Sequence, residues 1–362
     1  MKKILITGAG GGGSNNLIRS IKHSEYPVKI IGSNADQFAL PCSLADKNYL
    51  IPRGDSGDVY FDAINEIVKR EDIDLLVPNN DTEVRVMAFN RESLAAPVFL
   101  PAKETIQMCQ DKFIFNQKMI AGGFKVAETI SINTMDDVDK AFEHFKGHVK
   151  LWCRMRKGSG SAGALPVSKP EQAKAWISYW QDMRNVPEGM FTLSEYLPGR
   201  DYAFQSLWRN GKLIIAKTCE RLAYHFARQM PSNASSTPSL GKLVHNSVVD
   251  DLCTRAVYSI DPQATGMFSI DLKEDRFGNP CITEINIGRF FMITIVFNIV
   301  GKYNMAEYYL KLAFNEPVYI QEAERYNDIG DEEYYLIRGL DNPPAIISAN
   351  EMKKNIIKLV DE

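Results

Sequence analysis

Over the first hundred residues, short apolar runs alternate with stretches in which apolar positions recur every three to four residues. Residues 3–7 read as a buried strand, 8–14 as a glycine loop and 15–21 as a helix. A second strand is predicted at 28–31, a helix at 60–70 and a third strand at 75–77. Strands alternating with helices predict a parallel sheet covered by helices. The pattern pauses at the prolines of 97–101 and resumes as one helical stretch, 104–122, which puts a boundary near residue 103. From about residue 124 the texture becomes that of strands joined by tight turns, such as Trp208-Arg209-Asn210-Gly211, and predicts an α+β region. Its clearest element is a hairpin of 267–272 and 281–285 across a turn-forming segment, 273–280. Beyond residue 316 a tyrosine- and acid-rich stretch ends in an amphipathic helix, 350–360, with no internal repeat.

Composition narrows the classes. The 362 residues carry 42 Lys+Arg against 45 Asp+Glu, so no global basic excess supports nucleic-acid binding. The most apolar stretch, 290–300, is too short for a membrane span and is interrupted by Thr294 and Asn298, so it reads as a buried segment. A charged start followed at once by glycines and asparagines does not make a signal peptide, and the expected location is the cytoplasm. Six cysteines without a C-x-x-C pair predict free thiols, neither a disulfide framework nor a cysteine zinc site. The five histidines include one pair four apart, His144 and His148, and read as solvated helix residues.

Three motifs carry candidate chemistry. Gly8-Ala9-Gly10-Gly11-Gly12-Gly13 fits G-x-G-x-x-G between a strand and a helix, where bare backbone can approach a phosphate. A dinucleotide site also requires an acid at the end of the second strand, where this chain has Ser33-Asn34; a tight turn explains the glycines equally well. A second glycine cluster, Gly158 to Gly163, follows an apolar strand at 149–153. Period-two spacing puts Arg154 and Arg156 on one face, flanking a loop whose N–H groups and hydroxyls suit polyphosphate; a solvated hairpin turn with basic edges is the alternative. In the third motif, Glu284 and Asn286 lie two apart on one strand and Asp271 lies opposite on the hairpin partner. Two carboxylates and an amide oxygen suit Mg²⁺, which keeps positions free for phosphate oxygens. Ile270, Leu272 and Ile285 mark the opposite face as core.

In order, the glycine-serine loop, Glu195-Tyr-Leu-Pro-Gly-Arg-Asp201, Gly266-Met-Phe-Ser-Ile-Asp271 and Glu284-Ile-Asn286 resemble the ATP-grasp superfamily, and Asp111-Lys112 at the opening helix fits the same pattern. Within it, the chain is most similar to the group related to one half of the carbamoyl-phosphate synthase large subunit. The resemblance covers residues 1–315 and implies a Rossmann-like pre-ATP-grasp domain (1–103), then a two-subdomain ATP-grasp fold of mixed α/β and α+β character (104–190 with the lid, 191–315 with the metal site), and a C-terminal extension (316–362). It further implies ATP and one or two Mg²⁺ ions, with Mn²⁺ as a substitute, held by Asp271, Glu284 and Asn286. Lys112, Arg154 and Arg156 would contact phosphate; Ser159, Gly160, Ser161 and Gly163 would form a lid. Glu195, Tyr196 and Leu197 would meet adenine and Asp201 the ribose. Lys217, Arg221 and Arg289 would stabilise the transferring phosphoryl group and the substrate carboxylate.

The activity so implied is ligation: a small-molecule carboxylate is activated as an acylphosphate and opened by an amine, a thiol or another nucleophile, with no nucleic acid and no membrane involved and a homodimer left open. Gly11, Gly12, Ser33, Asn80 and Asp81, at strand ends of the first domain, are candidates for a substrate-contacting wall. Two departures stand out. Arg154-Met155 replaces the usual Lys-Pro, and Ser269 stands where some ligases have arginine, a gap that Arg289 or Arg221 could cover. These departures keep a non-catalytic ATP sensor among the alternatives. A nicotinamide-dependent oxidoreductase lacks its acid, and carbamoyl-phosphate synthesis would call for a second copy of the module.

Overall fold

A computed structural model describes residues 1–158, 163–230, 235, 237–340 and 345–354. The N-terminal part runs β1 (Lys2–Thr7), α1 (Gly12–His23), β2 (Val28–Asn34), β3 (Lys47–Leu50), α2 (Asp58–Glu71), β4 (Leu75–Val77) and α3 (Asp81–Phe89). Its sheet is all parallel in the order β3-β2-β1-β4, as strand–helix alternation predicts. Ile4, Leu5 and Ile6 of β1 are buried on both faces, which is why the strand reads as a continuous apolar run.

The helical stretch expected at 104–122 is two helices, α4 (Lys103–Cys109) and α5 (Lys112–Ala121). Asp111 divides them. Its carboxylate accepts from the backbone N–H of Phe113 (3.1 Å) and Ile114 (3.2 Å), so it caps the second helix and presents Lys112 at the first helical position.

Two antiparallel sheets follow. The smaller is built from β5 (Thr129–Ile132), α6 (Asp136–His144), β6 (Leu151–Met155), β7 (Leu165–Val167), α7 (Pro170–Arg184) and β8 (Phe191–Glu195), in the order β5-β8-β6-β7. It has its own core of Ile132, Val138, Phe145, Leu151, Ile177 and Leu193. The larger comprises β9 (Asp201–Arg209), β10 (Lys212–Tyr224), β11 (Pro238–Val244), α8 (Ser247–Ile260), β12 (Gly266–Glu274), β13 (Pro280–Ile287), α9 (Met305–Ala313), β14 (Tyr334–Ile337), β15 (Ala345–Ser348) and α10 (Ala349–Lys354). Its order is β13-β12-β9-β10-β11-β14-β15. The acid-rich segment after residue 316 therefore contributes two strands to this sheet. Of the helix expected at 350–360, residues 355–360 lie outside the described residues.

The apolar segment 290–300 holds a buried 3-10 turn, Thr294–Ile299, which packs with α9 against α1. One core thus runs from Ile4, Ile6 and Leu17 through Phe290, Ile295 and Phe297 to Met267 and Leu207, fastening the N-terminal sheet to the larger one. Each such fully buried side chain contributes about 1.5–3 kcal/mol. Among the described residues no helix is long and apolar enough to cross a membrane.

Candidate active site

Between the two antiparallel sheets opens a cleft of about 510 Å³. Its floor is the β12–β13 hairpin. The turn is closed by Asp275, whose carboxylate accepts from Phe277 N (2.8 Å) and Asn279 N (2.9 Å), and a one-residue bulge at Thr283 then shifts the register so that Asp271 faces Glu284. Ile270, Leu272 and Ile285 go to the core on the other face. The structure thus brings Asp271, Glu284 and Asn286 together on the cleft side.

Four cations surround this acid pair. Lys112 Nζ is 3.1 Å from Glu284 Oε2 and also donates to Gly158 O (2.7 Å). Arg154 lies 3.7 Å from the same carboxylate and donates to Thr283 O (2.9 Å). Arg221 is 2.5 Å from Asp271 Oδ1 and 3.2 Å from Asp201, and stacks over Phe291 at 5.1 Å. Arg289 donates to Asn286 Oδ1 and, from Nε, to Asp81 at 2.5 Å. Burial pushes the Asp271 carboxyl above its ordinary range, with Arg221 opposing and Glu284 adding to the shift. Burial acts the same way on Glu284, but Lys112 and Arg154 overcome it and hold that carboxyl down at about 2. Burial lowers Arg154, offset in part by Glu284 and Asp271.

Two observations indicate what this set suits. The buried Nε groups of Arg154 and Arg221 have no acceptor among the described residues, a demand that an anion such as phosphate would meet. Asp271 and Glu284 are like charges across one strand pair, a crowding that a hard cation relieves. Among the described residues there is no group of three or more His, Cys, Asp or Glu arranged to hold a metal; the pair here is completed by an amide. Asn286 directs Nδ2 to Asp271 Oδ2 (2.6 Å) and its oxygen to Arg289.

Further along the cleft, β8 hands over to β9 through Glu195, Tyr196 and Leu197, which line it beside Ala127 and Trp152. Asp201 lies closer to the acid pair, sharing Arg221 with Asp271: one carboxylate oxygen is on Arg221 and the other accepts from the Tyr224 hydroxyl at 2.6 Å. Tyr224 was not legible as a cleft residue. Strand parity sends it to the face opposite Arg221, and the register shifts between Arg221 and Tyr224 re-aim it.

Other expected residues lie elsewhere. β6 ends at Met155, so the period-two rule no longer applies to Arg156; its guanidinium turns to Asp111 (3.0 Å) and lies over Phe113, away from the cleft. Lys217 shares a face of β10 with Arg221, but four residues of strand separate them by about 13 Å. Its ammonium, 2% exposed, binds Asp328 at 2.6 Å in a second cavity of about 240 Å³. Burial lowers the Lys217 pKa and Asp328 opposes the shift. Ser33 is fully buried beneath Ala9 and presents nothing to a substrate. Asn80 caps α3, accepting from Glu83 N (2.9 Å), and Asp81 is engaged with Arg289. Gly11 precedes α1 without a side-chain cap, and Gly12 packs against Arg338 and against Met292, which lines the cleft, without lining it itself. Gly163 has φ +68°, and its carbonyl accepts from Trp176 Nε1 at 2.9 Å; Ser159, Gly160 and Ser161 lie outside the described residues.

A parallel-sheet domain followed by two antiparallel sheets that close on a cleft is the ATP-grasp fold, and this chain has it. Similar solved structures include a biotin carboxylase from Campylobacter jejuni in a β,γ-ATP complex (TM-score 0.71, 17% identity, 93% of this chain and 75% of that one). An N5-carboxyaminoimidazole synthetase from Staphylococcus aureus complexed with ADP matches with TM-score 0.68 and 13% identity over 93% and 81%. An L-amino acid ligase from Bacillus licheniformis matches with TM-score 0.67 and 13% identity over 93% and 79%. By sequence, residues 4–98 match the family described as PylC-like, N-terminal domain. No curated protein sequence matches the chain.

Proposed function

We propose that this protein is an ATP- and Mg²⁺-dependent ligase that activates a small-molecule carboxylate as an acylphosphate, which an amine or other nucleophile then opens, releasing ADP and phosphate. The carrying observation is the facing pair Asp271 and Glu284 on the cleft floor, ringed by Lys112, Arg154, Arg221 and Arg289. The fold shared with a biotin carboxylase in an ATP complex and with an amino acid ligase supports the reading.

Asp271, Glu284 and, once its amide oxygen is released from Arg289, Asn286 would hold Mg²⁺. A cation there supplies charge neutralisation of the polyphosphate. The remaining work falls to this chain's own side chains. A carboxylate approaching a triphosphate is repelled, and Arg154, Arg221 and Lys112 lower that barrier by placing positive charge where the oxygens gather. Among the described residues, Arg154 and Arg221 each keep one buried N–H without an acceptor, which is consistent with donors kept for a ligand. Trp152, Leu197 and Ala127 give the far end an apolar lining suited to a base. Glu195, Tyr196 and Asp201 add polar contacts for the nucleoside, Asp201 while shared with Arg221 and Tyr224.

The test is ADP release screened over small carboxylic acids paired with amines or thiols, with mass identification of products. Glu284→Gln is expected to abolish Mg²⁺-dependent ADP release without loss of the folded state; undiminished release removes the assignment.

A further inference from the structure

We propose that Asp81, at the start of α3 in the N-terminal part, is a positioning residue for the nucleotide site: it holds the Arg289 guanidinium beside Asn286, so that when the Asn286 oxygen turns to the cation the guanidinium stays in place for the terminal phosphate. The claim rests on the nucleotide-site reading above and adds to it a role for a domain that otherwise lies outside the cleft floor.

The geometry is a continuous relay. Arg289 donates from Nε to Asp81 Oδ1 (2.5 Å) and from Nη2 to Asp81 Oδ2 (3.3 Å), and Nη2 also donates to Asn286 Oδ1. Asn286 Nδ2 in turn donates to Asp271 Oδ2 at 2.6 Å. A carboxylate gripping two nitrogens of one planar guanidinium fixes its rotation as well as its distance. Before a cation binds, Asn286, and through it one oxygen of Asp271, is thus held by the same guanidinium that Asp81 anchors.

Both ends of the clamp are held. Asp81 sits in the first turn of α3, where the helix dipole favours a carboxylate, and its carbonyl accepts from Gln110 Nε2 at 2.9 Å. On the other side, Ser269 Oγ donates to Arg289 O (3.0 Å) and Asn79 Oδ1 accepts from Phe290 N (3.1 Å). Gly288, with φ +77°, lies so close to α3 that a Cβ there would come within 2.7 Å of Val84. The backbone carrying Arg289 is thus pressed onto the element carrying Asp81.

Without Asp81, the long Arg289 side chain regains rotamer freedom, and the nearest remaining carboxylates are those of the cleft floor. Arg289 would then compete for Asp271 and Glu284 instead of standing ready for a phosphate. The loss should fall on the terminal phosphate and spare the rest of the nucleotide.

The experiment compares the full-length protein with Asp81→Asn, Asp81→Glu, Arg289→Gln and the double variant Asp81→Asn/Arg289→Gln. Calorimetric affinities are measured for Mg²⁺·ADP and for the Mg²⁺ complex of β,γ-imido ATP. Asp81→Asn is expected to leave Mg²⁺·ADP within about twofold and to weaken the triphosphate analogue about tenfold, the loss of one charge-assisted contact. Asp81→Glu recovers most of that loss, and the double variant loses no more than Arg289→Gln alone, the non-additivity that a shared contact requires. Equal weakening of both ligands, no weakening, failure of Asp81→Glu to rescue, or additive losses each overturn the proposal. Glu284→Gln is titrated alongside: if it leaves both affinities unchanged, the nucleotide-site reading itself fails, whereas its loss of binding beside an unselective Asp81→Asn removes only the clamp.

Discussion

Replacing Lys217 by methionine deletes a buried ammonium while keeping most of the side chain's volume, and so separates a structural role from a catalytic one. Lys217 Nζ and Asp328 Oδ1 are 2.6 Å apart, with side chains 2% and 4% exposed, and Asp328 Oδ2 accepts from Tyr303 N at 3.0 Å. The pair ties β10 to the segment between α9 and β14, and through Tyr303 N to the loop ahead of α9. Removing one partner leaves Asp328 as an uncompensated buried charge, which costs about 3–5 kcal/mol. The expected result is a urea midpoint well below that of the parent, with Mg²⁺·ATP affinity within about twofold, because the pair lies outside the cleft. Lys217→Met/Asp328→Leu should recover most of the loss, since an apolar pair of similar volume removes the stranded charge. Lost nucleotide binding at unchanged stability would refute the reasoning and return Lys217 to the phosphoryl-transfer machinery.

Two further outcomes are expected. Cys42 is exposed and the other five cysteines are buried, with burial pushing Cys153 and Cys219 up to about 12 and Cys281 to about 11; native protein at pH 8 should therefore react with a thiol reagent at about one equivalent in the fast phase, and two or more fast equivalents would contradict the burial pattern. Asp137 is held at about 2, below its ordinary 3.8, first by its hydrogen bond from Lys140 and then by Thr134 N. A depressed carboxylate contributes stability that is present above the unfolded value and lost as pH falls through the folded one. Asp137→Asn should therefore lose less stability than the parent between pH 4 and 2, and identical acid limbs in thermal unfolding would show that these Asp137 contacts carry no such linkage.

The parts of the site carried by local chemistry were legible in the sequence. The β12–β13 hairpin could be read because Asp275, Gly278 and Asn279 define its turn, but the bulge at Thr283 that slides Glu284 opposite Asp271 leaves no mark in the pattern. The parallel N-terminal sheet was equally plain from its alternation. Periodicity gives a face but no position along it, so Lys217 and Arg221 looked equivalent until Asp328, 111 residues on, claimed the lysine. Arg156 was misplaced because the strand stops one residue short of it and Asp111 offers a nearer partner. Tyr224 was hidden by a bulge, which no composition rule locates. β14 and β15, four residues each, are too short to stand out; β14 pairs with the edge of β11 and β15 in turn with β14. Asp81 was legible as a strand-end acid, but its partner Arg289 is 208 residues away, a contact that only the tertiary fold creates.

The most direct test of the account is a calorimetric titration of ATP into the protein, with Mg²⁺ and with the metal chelated, for the parent and for Glu284→Gln. The account predicts binding that depends on the divalent cation in the parent and loses that dependence in the variant. Equal ATP affinity in all four titrations would contradict it, because Asp271 and Glu284 would then have no part in holding a metal–nucleotide complex.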